Sequence, residues 1–183
     1  MERKIIAILG LPGSGKTEVI NYLQENYGWP KVYFGEPTFD EIKRRGLEIN
    51  EKNEKLVREE LRAQFGKLYY ADEVIKKIEA IQSVENILVE SLYMWDEYLK
   101  FREKFGNSFI AIAVYASPKV RYNRLLNRPE RPLSAQDAWA RDKAQIEFHN
   151  QGGPIAMADY IIINEGSKEE LHQKIDEIIK NLI

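Results

Sequence analysis

The sequence predicts an α/β fold, a three-layer α/β/α sandwich whose middle layer is a parallel β-sheet. Two observations predict this fold class. Short apolar runs alternate with helical patterns five times along the chain, and right-handed crossovers between successive strands then give a parallel sheet covered by helices on both faces. The first apolar run also leads through a glycine-rich loop directly into a helix. Ligands of such sheets bind beyond the carboxyl ends of the strands, which is where this loop must lie.

Length and composition predict one globular domain spanning residues 1–183. The chain has 183 residues, of which 44% are hydrophobic and 31% charged, and a chain of this size buries a full sheet-and-helix core. Its net charge is −2, so no basic field attracts nucleic acid or anionic lipid. It has no cysteine, which excludes disulfides and thiolate metal sites. No apolar stretch reaches the length of a membrane span. We expect a cytoplasmic protein without a membrane or nucleic-acid partner, as a monomer or homodimer.

Apolar periodicity and turn residues place the individual elements. The predicted strands cover residues 5–9, 31–34, 87–89, 109–115 and 160–163. A helical pattern from 51 to about 83 is interrupted at Gly66, and a further helix covers about 95–105. The side chains of Leu56 and Phe65 are among the positions that this pattern predicts to be buried.

Three segments have the capping-box pattern that starts a helix, in which a residue with a side-chain hydroxyl is followed three positions later by an acidic residue. They begin at Thr38, Ser134 and Ser167. The helix from Thr38 is predicted to stop at Gly46, and the helix from Ser134 to run to about residue 150, where a Gly-Gly-Pro sequence at 152–154 would end it.

The glycine-rich loop is the strongest functional signal. It reads Gly10, Leu11, Pro12, Gly13, Ser14, Gly15, Lys16 and Thr17. Glycines allow backbone N–H groups to surround a phosphate, and the positive end of the following helix dipole points at the same anion. In such a loop Lys16 reaches the β- and γ-phosphates, and the hydroxyl of Thr17 ligates Mg²⁺. We therefore predict binding of a nucleoside triphosphate.

Two carboxylates follow predicted strands and are candidates for the chemistry. Glu90 comes directly after the third strand, where it could orient or deprotonate an attacking hydroxyl or hold a Mg²⁺-bound water. Glu36, just past the second strand, is a second candidate. A solvent-facing or helix-capping role is the alternative for each of them.

Five arginines surround a proline-containing polar break between residues 127 and 133, namely Arg121, Arg124, Arg128, Arg131 and Arg141. We interpret the segment from about 128 to 150 as a lid that closes over the triphosphate and excludes water. Arg128 and Arg141 are the candidates for stabilising the transferred phosphoryl group. Arg121 is expected to lie on a solvated helix face.

With these residues in view, the chain resembles the nucleoside-monophosphate-kinase-like branch of P-loop NTPases. The loop has that branch's form, Gly-x-x-Gly-x-Gly-Lys-Thr, and the segment from Arg141 to Ser167 looks like the end of dephospho-CoA kinases. Over nearly its whole length the chain is more similar to a family of small, mostly archaeal kinase-like proteins without an assigned substrate. The features of that family include segments like 45–48, 61–66 and 116–119.

The resemblance implies a five-stranded sheet of order 2-3-1-4-5, ATP with Mg²⁺, a mobile lid, and acceptor-binding helices at about 37–83. The chain also departs from the family, which places Asp at positions 36 and 90 and arginines where Phe39 and Tyr93 stand. In related kinases those arginines hold the acceptor's phosphate. Arg62 still matches the family's pattern and could hold the phosphate instead. Glu36, Phe39, Arg62 and Tyr93 are therefore the predicted acceptor residues, in a pocket whose carboxylates and aromatic rings disfavour a phosphate unless Arg62 offsets them.

These features together predict an ATP- and Mg²⁺-dependent kinase acting on a nucleotide or a nucleotide-like acceptor, such as a nucleoside monophosphate or dephospho-CoA. The alternative is a nucleotide-binding regulatory ATPase whose lid state controls a partner. The net negative charge of the chain argues against a kinase that acts on nucleic-acid ends. The sequence leaves open the acceptor, the choice between ATP and GTP, the oligomeric state and the pathway.

Overall fold

A computed structural model describes residues 3–82 and 85–182. Within these ranges the strands form one parallel sheet of order β2-β3-β1-β4-β5, as expected. The strands are β1 Ile5–Leu9, β2 Lys31–Tyr33, β3 Ile87–Glu90, β4 Phe109–Tyr115 and β5 Tyr160–Ile163.

Helices cover both faces of the sheet. Those in the described ranges are α1 Lys16–Tyr27, α2 Glu36–Arg44, α3 Glu51–Phe65, α4 Tyr69–Ala80, α5 Trp95–Phe105, α6 Pro118–Leu126, α7 Ala135–Glu147, α8 Gly152–Ala156 and α9 Lys168–Lys180, with a 3₁₀ turn at Gly106–Ser108. None of them is long and apolar enough to cross a bilayer.

The central strands are apolar without alternation because both of their faces are covered. All five residues of β1 are buried. Ala7 contributes to a core shared with α2 to α5, whereas Ile6 and Ile8 contribute to a core shared with α1 and α9. Ile8 is in register with Glu90, so the end of β1 and the last residue of β3 lie at the same edge of the sheet. The glycine-rich loop starts at this edge.

The predicted start of α2 is wrong. The helix begins at Glu36, and Pro37 occupies its first turn, where the missing N–H and fixed φ of proline are favourable. The hydroxyl of Thr38, expected to cap the helix, is instead 2.7 Å from the hydroxyl of Tyr70 on α4. A buried contact between two helices has thus replaced the local cap.

The capping predictions further along are confirmed, but one predicted helix end needs correction. The Ser134 side chain accepts a hydrogen bond from the Asp137 amide, and Ser167 accepts one from Glu170. The α7 helix ends at Glu147, and the sequence Gly-Gly-Pro that follows it opens the short helix α8. Proline is tolerated there because it lies in the first turn.

The helical pattern after residue 51 divides at Gly66 as predicted, into α3 and α4. Its predicted end near Ser83 lies outside the described residues, and α4 ends at Ala80. Leu56 and Phe65 are exposed, contrary to expectation, whereas Val57 and Leu61 are buried. The apolar face of α3 is therefore narrower than the periodicity indicated.

Candidate active site

The glycine-rich loop has the backbone conformation that its glycines were expected to permit. Gly10, Gly13 and Gly15 have φ values of +142°, +78° and +104°, a region that side chains strongly disfavour. A Cβ atom at Gly13 would lie 2.7 Å from the Arg121 carbonyl oxygen, and one at Gly15 would collide with the side-chain amide of Asn164. Conformation and close packing both require glycine at these positions.

The start of α1 is open to an anion. Gly15 is its N-cap and makes no side-chain cap, so the N–H groups of the first turn have no side-chain oxygen bound to them. The Ser14 hydroxyl oxygen is buried without a hydrogen-bond partner in the described structure, and Thr17 is exposed. This cradle fits the phosphates of a nucleotide, with Thr17 free to ligate a cation.

Lys16 is folded back onto the loop. Its Nζ donates to the carbonyl oxygens of Gly10, at 2.8 Å, and Leu11, at 3.2 Å. Burial lowers the pKa of Lys16 from 10.5 to about 8, an effect that the nearby carboxylate of Glu90 partly opposes. Phosphates that draw the ammonium forward would replace two carbonyl acceptors by a charged one, which favours the protonated form.

Two buried amide side chains hold the loop in place, and the sequence interpretation assigned neither of them this role. Asn164, directly after β5, donates from Nδ2 to the Ser14 carbonyl oxygen at 2.8 Å. Gln151, just before α8, donates from Nε2 to the Gly10 carbonyl oxygen at 3.1 Å. Their positions at the ends of a strand and a helix were the only sequence signal. They fix the loop from two distant parts of the chain.

The prediction that Arg121 lies on a solvated face is wrong. Only 3% of this residue is exposed, and its guanidinium contacts the Asp142 carboxylate at 2.9 and 2.6 Å. It also donates to the carbonyl oxygens of Pro12, at 3.1 Å, and Ala116, at 3.0 Å. Tyr122 donates to Asp142 at 3.0 Å. A buried ion pair therefore joins α6, the glycine-rich loop and α7.

Glu90 lies at the carboxyl edge of the sheet beside the loop, as expected. Its Oε2 is 2.8 Å from Nζ of Lys31, and the side chain is 20% exposed. It also acts electrostatically on Lys16, Tyr33 and Tyr93. A carboxylate in this place can accept a proton from a group that approaches the phosphates bound at the loop.

The structure places some of the predicted acceptor residues around Glu90 and pairs another with a lysine. Tyr93 lies near Glu90, and its hydroxyl is 3.0 Å from the Ser91 hydroxyl. Phe39 stacks on Tyr33, with ring centroids 6.2 Å apart, and Tyr33 is in register with Glu90. Glu36 forms an ion pair with Lys77 of α4 at 2.9 Å, so its charge is already compensated.

Arg62 comes from α3. Its Nη2 is 3.4 Å from Oε1 of the buried Glu97, and its guanidinium lies over the Tyr70 ring, 4.9 Å from the centroid. Burial raises the pKa of Glu97, although hydrogen bonds from the Met94 and Tyr93 amides and the charge of Arg62 oppose this.

The two lid arginines that were proposed for catalysis lie in and after the polar break. Arg128 donates from Nε to the Arg131 carbonyl oxygen at 2.8 Å, and Arg131 has a positive φ of 49°. Arg141 is exposed on α7 and acts electrostatically on Tyr93. The catalytic roles of Arg128 and Arg141 stay predictions.

Comparison with known proteins agrees with this architecture. The AAA domain family matches residues 6–148. A UPF0200 protein of Thermococcus onnurineus is 32% identical over 183 residues, covering 98% of both chains. One of Sulfurisphaera tokodaii is 34% identical with the same coverage. The chain belongs to the UPF0200 family of AAA-domain proteins. This confirms the resemblance to small, mostly archaeal kinase-like proteins.

The solved structures that it resembles have the P-loop kinase fold. TT1252 from Thermus thermophilus superimposes with a TM-score of 0.67 at 18% identity, covering 100% of both chains. A shikimate kinase from Bacteroides thetaiotaomicron gives 0.61 at 13% identity, covering 97% of this chain and 98% of that one. A gluconokinase from Sinorhizobium meliloti gives 0.57 at 14%, covering 98% and 95%. At these identities the likeness establishes the fold and leaves the acceptor open.

Proposed function

We propose that this UPF0200 protein is an ATP- and Mg²⁺-dependent phosphotransferase acting on a small-molecule acceptor. The observation that carries the proposal is the position of Glu90, at the strand end beside the loop and within electrostatic reach of Lys16. Phosphoryl transfer to a hydroxyl needs a cradle that binds the phosphates, a cation such as the Lys16 ammonium that neutralises them, and a carboxylate beside the acceptor hydroxyl.

Each residue has a role that its surroundings support. The loop backbone and the start of α1 bind the phosphates, and Lys16 moves from the Gly10 and Leu11 carbonyl oxygens to neutralise the β- and γ-phosphates. The exposed Thr17 hydroxyl would hold Mg²⁺, which would neutralise phosphate charge when bound. Glu90 orients the acceptor hydroxyl and accepts its proton. Arg128 and Arg141 stabilise the charge on the transferred group when the lid closes.

The acceptor is sought among the substrates of proteins with related folds and sequences. Purified protein is incubated with Mg·ATP, and separately Mg·GTP, in the presence of nucleoside monophosphates, nucleosides, dephospho-CoA, shikimate or gluconate, and phosphate transfer is followed. Lys16→Met should reduce transfer about 10³-fold, near 4 kcal/mol of transition-state stabilisation, and leave the fold intact. Lys180→Met, at the exposed end of α9, serves as the matched control. Lys16→Met activity within a few-fold of wild type would refute the proposed role of the loop.

A regulatory ATPase is the second candidate, and the buried pair of Arg121 and Asp142 is the observation that favours it. The pair joins the Pro12 carbonyl oxygen of the loop to α7 of the lid, so nucleotide occupancy can alter the lid without any acceptor. Slow ATP hydrolysis with no acceptor in the panel, and a partner protein captured with only one nucleotide bound, would favour this function over the kinase.

A further inference from the structure

A cavity of about 420 Å³ lies between the start of α5 and the segment that leads from α7 into α8. Five residues form its wall, namely Trp95, Ile146, Asn150, Gly152 and Gly153. The cavity is open to solvent, and its volume falls within the roughly 300–1,000 Å³ that small-molecule sites occupy. Among the described residues, none of those proposed to bind the phosphates, the cation or the acceptor lines it.

The aromatic part of the wall is held in a fixed position. Tyr98 stacks on Trp95, with ring centroids 5.3 Å apart and an interplanar angle of 12°. The Tyr98 hydroxyl in turn donates to the Met157 carbonyl oxygen at 2.8 Å. A Cβ atom at Gly153 would lie 2.8 Å from the indole, so the missing side chain lets α8 pack directly against the ring. Because the indole is ordered before a ligand arrives, binding does not have to order it.

Gly152 keeps part of the cavity free of side-chain atoms. A Cβ atom at this position would meet no atom within 4 Å, in contrast to one at Gly153. Gly152 is the first residue of α8 and has a helical backbone, which larger residues also adopt. A larger side chain can therefore be introduced here without distorting the fold, and it would take up space at the cavity wall.

The polar groups of the wall are neutral and unused. None of the five wall residues is charged. Within the described part of the chain, neither the indole N–H of Trp95 nor the side-chain amide of Asn150 takes part in a hydrogen bond. The indole offers a donor, and the amide offers both donors and an acceptor. Ile146 adds a half-exposed aliphatic surface. The matching ligand is an uncharged ring with nitrogen or oxygen atoms at its edge.

The backbone segment that forms this wall also anchors the glycine-rich loop. Gln151 lies between the wall residues Asn150 and Gly152, and its side chain donates to the Gly10 carbonyl oxygen at 3.1 Å. Its backbone N–H donates to the Gln145 carbonyl oxygen, also at 3.1 Å. Asn150 has a left-handed φ of 51°, which asparagine adopts more readily than most residues. The cavity and the nucleotide-binding loop thus share one structural support.

We propose that this cavity binds a neutral heteroaromatic ring. The ring contacts Trp95 and Ile146, and the polar atoms at its edge bond to the side-chain amide of Asn150. Aromatic side chains bind flat rings of many kinds, and an asparagine amide can pair with N6 and N7 of adenine. Adenosine is therefore a suitable probe. The inference concerns binding alone and does not depend on phosphoryl transfer.

The test follows the indole N–H signals of the tryptophans by ¹⁵N NMR while adenosine is added. The protein is first saturated with Mg·ADP, so that the glycine-rich loop is already occupied. Trp95→Phe and Trp139→Phe assign two of the three indole signals by their loss. Trp139 is exposed and does not line the cavity, so its signal reports non-specific contact with the probe.

We expect the Trp95 signal to shift saturably with adenosine. Gly152→Leu takes up space at the wall, and Ile146→Asp places a charge there, so each should weaken binding about tenfold or more. Ala156→Leu is the matched control, because this residue is exposed on the same helix and does not line the cavity. It should bind adenosine as the wild type does. A linear Trp95 shift equal to that of Trp139, or wild-type binding by both wall variants, would overturn the inference.

Cyclohexanol tests the class of ligand, since its ring is uncharged but not planar. It should bind about tenfold or more weakly than adenosine, and equal binding would contradict recognition of a flat ring. The two proposals can also fail separately. Saturable binding of adenosine at Trp95 in a protein that transfers no phosphoryl group contradicts the kinase and supports the ring site. Efficient transfer without a saturable Trp95 shift contradicts the ring site and supports the kinase.

Discussion

Replacing Asp142 by Asn should strongly destabilise the protein, because it leaves the charge of Arg121 buried without its counter-ion. The Arg121 side chain is 4% exposed and the Asp142 side chain 8%. Two hydrogen bonds, of 2.9 and 2.6 Å, join them. Asparagine keeps the shape and one acceptor oxygen but removes the negative charge.

The magnitude follows from this burial. Removing one partner of a buried pair costs about 3–5 kcal/mol. Since about 1 kcal/mol corresponds to roughly 2–4 °C for a domain of this size, the melting temperature should fall by about 6–20 °C. Urea unfolding, monitored by circular dichroism, gives the free energy of unfolding from the midpoint of the transition and the slope of the free energy against urea concentration.

Two variants of the same region calibrate the result. Tyr122→Phe removes the hydroxyl that donates to Asp142 at 3.0 Å, at an expected cost of about 1 kcal/mol. Glu147→Gln removes an ion pair with Lys143 that is 3.9 Å long and half-exposed, at a cost below about 1 kcal/mol. If Asp142→Asn costs no more than Glu147→Gln, the pair does not contribute as a desolvated interaction, and the reasoning is refuted.

Two further predictions concern Lys16 and α8. Because the pKa of Lys16 is lowered to about 8 and bound phosphates raise it again, ATP binding near pH 9 should take up close to one proton. Calorimetry in buffers of different ionisation enthalpy measures this, and uptake that persists in Lys16→Met would refute the assignment. Gly153→Ala should cost about 1–3 kcal/mol by overpacking, because the added Cβ would lie 2.8 Å from Trp95. Gly152→Ala, which meets nothing within 4 Å, should be neutral or slightly stabilising, so equal melting temperatures for the two variants would contradict the packing argument.

The sequence predicted the elements whose local pattern and tertiary setting agree. The central strands are apolar runs that helices cover on both faces, and α9 has both a serine cap and a regular apolar face. The start of α2 was misplaced because the Thr38 hydroxyl has two possible partners, and the contact to Tyr70, 32 residues away, prevails. Local spacing contains no information about such a partner.

The site was predictable to the same extent. The glycine-rich loop is a local motif, so its strand, turn and helix could be read directly. Arg121 could not be interpreted correctly, since an arginine on a short helix is usually solvated and its partner Asp142 lies 21 residues further on. The roles of Gln151 and Asn164 depend on contacts across 141 and 150 residues, which only the folded chain establishes.

The hydrogen bond from the buried Gln151 to the loop has a physical reason, which is connected to the proposed movement of Lys16. The Gly10 carbonyl oxygen accepts both from Lys16 and from Gln151. When phosphates draw the ammonium forward, a carbonyl oxygen without a second donor would be left buried and unpaired, at a cost of about 1–3 kcal/mol. The amide of Gln151 remains bonded to it, so that cost does not oppose nucleotide binding. In the proposed function, this fixed donor just before α8 would allow Lys16 to move between the loop and the phosphates.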